Sequence, residues 1–132
     1  MHFFRGTYTA IITPFTPDGE IDYDTFEILM EKQLRAGVDG IVVLGTTGES
    51  PTLSWEEHDY LIEKAVHIAG GRTQIIAGTG SNCTAEAIEH SQKAQEAGVD
   101  GLLLVSPYYN KPTQTGLYEH FLAVANSVEI PI

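Results

Sequence analysis

Four short polar segments hold the residue types that could do chemistry. In Gly45-Thr46-Thr47-Gly48-Glu49-Ser50, two hydroxyls and several backbone N–H groups can face one point on a tight turn. Such a nest suits a small anion, a carboxylate for example. A glycine-rich turn with capping threonines fits the same residues, and no Gly-Lys-Ser/Thr follows to make a P-loop. Gly78-Thr79-Gly80-Ser81-Asn82 offers more hydroxyls, but position 83 is Cys83, so the dinucleotide fingerprint is broken. In Ser106-Pro107-Tyr108-Tyr109-Asn110-Lys111-Pro112, the adjacent tyrosines suit proton relay, and packing equally well. Thr13-Pro14-Phe15 is the fourth segment.

Each segment follows a strand-like run. Gly6–Thr13, Gly40–Leu44, Gln74–Ala77 and Gly101–Val105 are short and rich in β-branched or wholly apolar residues, as in parallel strands. Between them lie helical patterns. Asp24-Thr25-Phe26-Glu27 resembles a capping box and leads into Phe26, Leu29, Met30 and Leu34. Ser54-Trp55-Glu56-Glu57 is a full box ahead of Leu61, Ile62, Ala65, Val66 and Ala69. Thr84 is expected to cap a helix carrying Ala87, Ile88, Ser91, Ala94 and Ala97, and a fourth helix is expected through Leu117, Phe121, Val124 and Val128. Glu129-Ile130-Pro131-Ile132 reads as the start of a fifth strand.

The five letters A-G-V-D-G occur at Ala36 and again at Ala97, each time between a helix and an apolar run. Gly37 and Gly98 suit the left-handed conformation that ends a helix. The junction is thus an αβ turn, and the repeat spans two βα units. Strand and helix alternating four times imply a parallel sheet with right-handed crossovers. The length, 132 residues, is about half of the ~250 of a (βα)8 barrel. The expected fold class is therefore α/β, a parallel half-barrel of about four βα units of a TIM barrel.

The formal net charge of −11 argues against nucleic acid or an anionic membrane as partner. Met1-His2-Phe3-Phe4-Arg5 is too short for a signal-peptide core, which points to the cytoplasm. Cys83 is the single cysteine and reads as a loop or packing thiol. His58, His67, His90 and His120 show no ligand spacing, so no metal site is expected. Lys32, Lys64 and Lys93 fall on amphipathic helices, and Lys111 in a strand-end loop. None reads as a nucleophile.

Taken together, TAIITPF at 9–15, GTTGES at 45–50, the repeated A-G-V-D-G and SPYYNKP at 106–112 resemble the dihydrodipicolinate synthase family. That family lies within the pyruvate-dependent class I aldolases, alongside N-acetylneuraminate lyase. The resemblance runs from about Gly6 to Ile132, and the full Tyr-Tyr-Asn-Lys-Pro favours the synthase branch. It implies a homo-oligomeric TIM-barrel lyase of lysine biosynthesis. Such an enzyme condenses pyruvate with aspartate semialdehyde through a lysine Schiff base and needs no added cofactor. Carried over by position, Thr46 becomes a proton-relay group that also serves the pyruvate site, and Thr47 binds the pyruvate carboxylate. Tyr109 becomes the relay tyrosine that crosses a dimer interface. Ser50, His58, Asn82, Glu86 and Tyr108 match residues that bind L-lysine in inhibited members, with Trp55 where some members carry a histidine.

The resemblance also places the Schiff-base lysine and a further relay tyrosine beyond Ile132. Residues 1–132 then form one domain, the N-terminal half of the barrel with the C-terminal half absent, expected to be inactive alone. Its bare strand edges and open apolar face are expected to drive association of two or more chains. Two other readings stand beside this one: an inactive lysine-binding or scaffold half-barrel, and another pyruvate aldolase, such as one for keto-deoxy-sugar acids.

Overall fold

The structure, a computed structural model, describes residues 4–132. The opening Met1-His2-Phe3, part of the segment read as too short for a signal core, lies outside the described residues.

Among the described residues four strands and four α-helices alternate: β1 (Tyr8–Ala10), α1 (Tyr23–Ala36), β2 (Gly40–Val43), α2 (Trp55–Ala69), β3 (Gln74–Gly78), α3 (Thr84–Ala97), β4 (Gly101–Leu103) and α4 (Gln114–Ala125). All strand pairs are parallel, and the sheet order is β1-β2-β3-β4. An order that never reverses, with crossovers of one hand, puts every helix on the same face. This is a half-barrel, not a doubly wound sheet.

Side chains alternate across a strand, so the two sheet faces differ. Ile41, Val43, Ile75, Ala77 and Leu102 are buried against the helices, where they meet Phe26 and Met30 of α1 and Leu61, Ile62 and Ala65 of α2. Burying each large apolar side chain stabilises the fold by about 1.5–3 kcal/mol. On the opposite face Ile12, Leu103 and Val105 are exposed. Tyr8 Oη donates to Gln74 Oε1, linking β1 to β3.

The A-G-V-D-G junctions fold as expected. Gly37 and Gly98 take φ of 73° and 94°, and their N–H groups donate to carbonyls of the preceding turn. Ser54 and Glu57 form the reciprocal box at the start of α2.

Several boundaries need correction. Asp24 does not cap α1. Asp22 does, its Oδ1 accepting from the Thr25 N–H at 2.9 Å and its Oδ2 from the Thr25 hydroxyl at 2.7 Å. Those bonds hold the Asp22 carboxyl below its ordinary pKa. Nor does Thr84 cap α3: the cap position is Cys83, and the Thr84 hydroxyl shares a 2.8 Å hydrogen bond with His120 Nδ1. The first strand is shorter than Gly6–Thr13, because Thr13 turns away to donate from its hydroxyl to Gly48 O at 2.7 Å. The second stops at Val43, since Leu44 bends to φ 56°. The third runs one residue further, to Gly78, and the fourth stops at Leu103. Helix α4 ends at Ala125, and Val128 packs on the core from beyond it. Residues 129–132 form no strand, although Leu102 N–H donates to Pro131 O at 2.9 Å, along the β4 edge.

Candidate active site

The polar segments gather at the C-terminal ends of the strands. After β2 the loop folds on its own backbone: Gly48 N–H donates to Gly45 O at 3.0 Å and Glu49 N–H to Thr46 O at 3.1 Å. Leu44 and Glu49 sit at φ 56°, conformations that ordinary side chains disfavour and that functional loops tend to retain. The Leu44 bend presses its carbonyl so close to Gly78 that a Cβ there would fall on the carbonyl oxygen. Only glycine lets the ends of β2 and β3 meet this closely.

A cavity of about 540 Å³ opens between these ends. Thr46, Ser50, Glu86 and Tyr108 line it, together with Trp55 and Leu103. Four of the eight sequence-predicted residues are thus brought together. Thr47 is exposed outside the cavity. Tyr109 projects from the β4 loop, 94% exposed, with φ of 66°. Asn82 turns its amide to Asn110: Asn82 Nδ2 donates to Asn110 Oδ1 at 3.0 Å, and Asn110 Nδ2 to Asn82 O at 2.8 Å. Glu86 Oε2 accepts from the Ser81 hydroxyl at 2.7 Å.

His58 lies behind the cavity wall, 1% exposed. Its Nε2–H donates to Gly78 O at 2.8 Å, which ties α2 to the end of β3. Nδ1 has no hydrogen-bond partner among the described residues, and Asp59 Oδ1 lies 3.7 Å from it. Burial, the largest influence, holds the His58 pKa below its ordinary value, and the bond to Gly78 and then Asp59 only partly oppose it. The ring is therefore neutral at pH 7.

Sequence reasoning treated the histidines as separate, whereas the fold draws two of them together. Trp55 stacks on His90 with centroids 3.6 Å apart at 9°, and meets His58 edge-on at 5.0 Å. His90 Nδ1–H donates to Asp59 Oδ1 at 3.0 Å, and Lys93 Nζ lies 3.1 Å from Asp59 Oδ2. These contacts back the wall that Trp55 presents to the cavity. They join residues far apart in the chain, and no local motif announces them.

No described lysine lines the cavity. Lys64 pairs with Glu27 at 3.2 Å. Lys93 is held above its ordinary pKa by Glu89 first and Asp59 second, the reverse of an activated amine.

Parallel strands in chain order, with hydroxyl-lined loops and a cavity at their C-terminal ends, define half of a (βα)8 enzyme barrel. The chain belongs to the dihydrodipicolinate synthetase family, whose model matches residues 3–132. It is 57% identical over 129 residues to a 4-hydroxy-tetrahydrodipicolinate synthase of Leptospira biflexa, covering 98% of this chain and 44% of that protein. Among solved structures, the dihydrodipicolinate synthase of Aquifex aeolicus superposes with a TM-score of 0.95 at 56% identity, over 98% of this chain and 44% of that one. The Acinetobacter baumannii enzyme complexed with pyruvate gives 0.93 at 50% identity, over 96% and 43%. The Cyanidioschyzon merolae enzyme with lysine bound gives 0.92 at 46%, over 97% and 44%. The chain thus spans less than half the length of the relatives it matches.

Proposed function

We propose that this chain is the N-terminal half of a 4-hydroxy-tetrahydrodipicolinate synthase, supplying the keto-acid carboxylate site and part of a proton relay. The observation that carries this reading is Thr46, set at the end of β2 on the wall of the strand-end cavity. In this reading Thr47 and its neighbouring amides hold the pyruvate carboxylate, while Thr46 and Tyr109 pass protons between the reacting centre and solvent. Aspartate semialdehyde is the second substrate, and the cytoplasm is the compartment. The exposure of Tyr109 suits a hydroxyl lent to a neighbouring subunit, so activity depends on a homo-oligomer.

The Schiff-base lysine is not among these residues. Its amine must attack the keto carbon and expel water, which requires a deprotonated nitrogen inside the cavity. The chain alone is therefore inactive. Borohydride trapping with pyruvate, read by intact mass, is expected to leave its mass unchanged. One stable adduct on the chain sinks the proposal.

A second reading has its own support. Ser50, Glu86 and Tyr108 share the cavity with Trp55. A carboxylate, two hydroxyls and an indole suit an ammonium on an apolar stem, so the chain also serves as a lysine-binding module. His58 would act there only from behind Trp55. Calorimetry with L-lysine tests it, with saturable heat expected and its absence fatal. Capture of a complete synthase by the immobilised chain distinguishes a scaffold from a bare half-barrel.

A further inference from the structure

We infer that Asn110 is a positioning residue for Tyr109: its amide clamp with Asn82 holds the β4 loop in the strained form that turns Tyr109 outward. The two contacts are reciprocal, and they join the loops after β3 and β4 across 28 residues of chain. Asn110 stands between two residues at positive φ, Tyr109 at 66° and Lys111 at 50°. Neither is glycine, so both would relax toward negative φ if nothing held them. Within a single chain Tyr109 is exposed, so no packing inside the chain holds it. The Asn110 N–H donates to Tyr108 O at 2.7 Å, which closes the bend but does not fasten it to the body of the protein. The Asn110 side chain supplies that fastening.

The other half of the clamp is well anchored. Next to Asn82, the buried Ser81 hydroxyl donates to Glu86 at 2.7 Å and accepts from Cys83 N–H at 3.0 Å. Asn82 thus sits in the fixed turn that leads into α3, and it lends that rigidity to the loop. One arm of the clamp uses the Asn82 backbone carbonyl, which any residue at position 82 would offer. The other uses the Asn82 side chain. Asn110 supplies both of its own atoms from the side chain, so its loss removes the whole clamp.

The catalytic consequence rests on the reading of Tyr109 as a relay hydroxyl, but the conformational claim does not. The test is NMR of the isotopically labelled chain. A strong intraresidue HN–Hα contact marks positive φ, and the backbone order parameter reports rigidity, with about 0.85 rigid and below about 0.6 flexible. In the unaltered chain, Tyr109 and Lys111 are expected to be rigid with positive φ. Asn82→Ala, which keeps one arm, is expected to lower order at Tyr109 partway. Asn110→Ala is expected to bring it below about 0.6 and to erase the positive-φ signature. Adding Lys111→Gly to Asn110→Ala is expected to restore part of the order, because glycine tolerates positive φ. Loss of the positive-φ signature at Tyr109 with the rest of the spectrum unchanged is what separates positioning of Tyr109 from a general loss of structure.

The proposal is overturned if Tyr109 keeps its order and its φ in Asn110→Ala. Should that variant not fold, Asn110→Asp keeps the acceptor and loses the donor, and the same criterion applies. Tyr109→Phe removes the hydroxyl and leaves the clamp intact. The loop measurement can therefore succeed while the relay reading fails, or fail while it succeeds.

Discussion

The two faces of the sheet were built from the same kinds of residue and met opposite fates. Leu102 is 4% exposed beneath the helices, while its neighbour Leu103 is 48% exposed on the other side. The helix-covered face holds Phe26, Met30, Ile41, Leu61 and Ile75 in one continuous core. The open face carries Ile12, Leu103 and Val105 and borders the strand-end cavity. Stability of this chain therefore resides on one side of the sheet, and its strand-end cavity at the rim of the other. Substitutions can break or sharpen that division.

The largest effect is expected at Phe26, which is buried where α1 meets the sheet. Phe26→Ala should cost about 3–5 kcal/mol, measured by denaturant titration of the chain. A loss under about 1 kcal/mol would show that the covered face is not the seat of stability.

His58 comes next. It stands on the covered side but ties α2 to Gly78, at the cavity edge. His58→Leu leaves the Gly78 carbonyl buried without its donor and should cost about 1–3 kcal/mol. The pH dependence follows from linkage. The folded-state pKa of His58 is depressed, so the unfolded chain binds its proton at higher pH than the folded one. The stabilisation is present above the unfolded value of about 6.5 and is lost as pH falls from there through the lower folded value. Denaturation midpoints across that window should decline in the unaltered chain and decline less in His58→Leu. The variant keeps some slope, because burial also lowers the pKa of His120.

A smaller effect is expected at Ser54, whose hydroxyl accepts from Glu57 N–H at 3.3 Å in the capping box. Ser54→Ala should cost about 1 kcal/mol in the same titration. Little or no loss would mean that packing alone fixes the start of α2, and with it the placement of Trp55.

That box was legible in the sequence because its partners lie three residues apart, and the left-handed glycines at 37 and 98 because the chain spells the junction twice. Alternating apolar runs and helical faces were enough for a parallel sheet with crossovers, and the chain length of 132 residues pointed to a half-barrel. The caps at Asp22 and Cys83 were misread because neighbouring Asp24 and Thr84 are chemically suited to the same task. At α3 a tertiary contact, Thr84 with His120, takes the hydroxyl away from the cap, while at α1 the local bonds of Asp22 to Thr25 decide the matter. The site was legible as strand-end loops, but not as an arrangement. Trp55 on His90, His58 on Gly78 and Asn82 on Asn110 bridge 20 to 35 residues, and their partners are ordinary residues until the fold joins them.

The smallest effect is the most pointed test of the two-faced sheet. Leu103 ends β4, one residue from Leu102, and its side chain reaches the cavity wall from the uncovered side. If that face is open in the isolated chain, Leu103→Ser replaces a solvent-touching apolar group with a polar one. The cost should then stay within about 0.5 kcal/mol. If the face is instead covered by association of chains, the same change strikes a buried surface and should cost ~2 kcal/mol or more, in a concentration-dependent way. Light scattering on the unaltered chain separates the cases independently. A stable monomer matches the small cost, and a dimer matches the large one. The neighbouring Leu102→Ser calibrates both, since it faces the helices in either case and should be severe at any concentration.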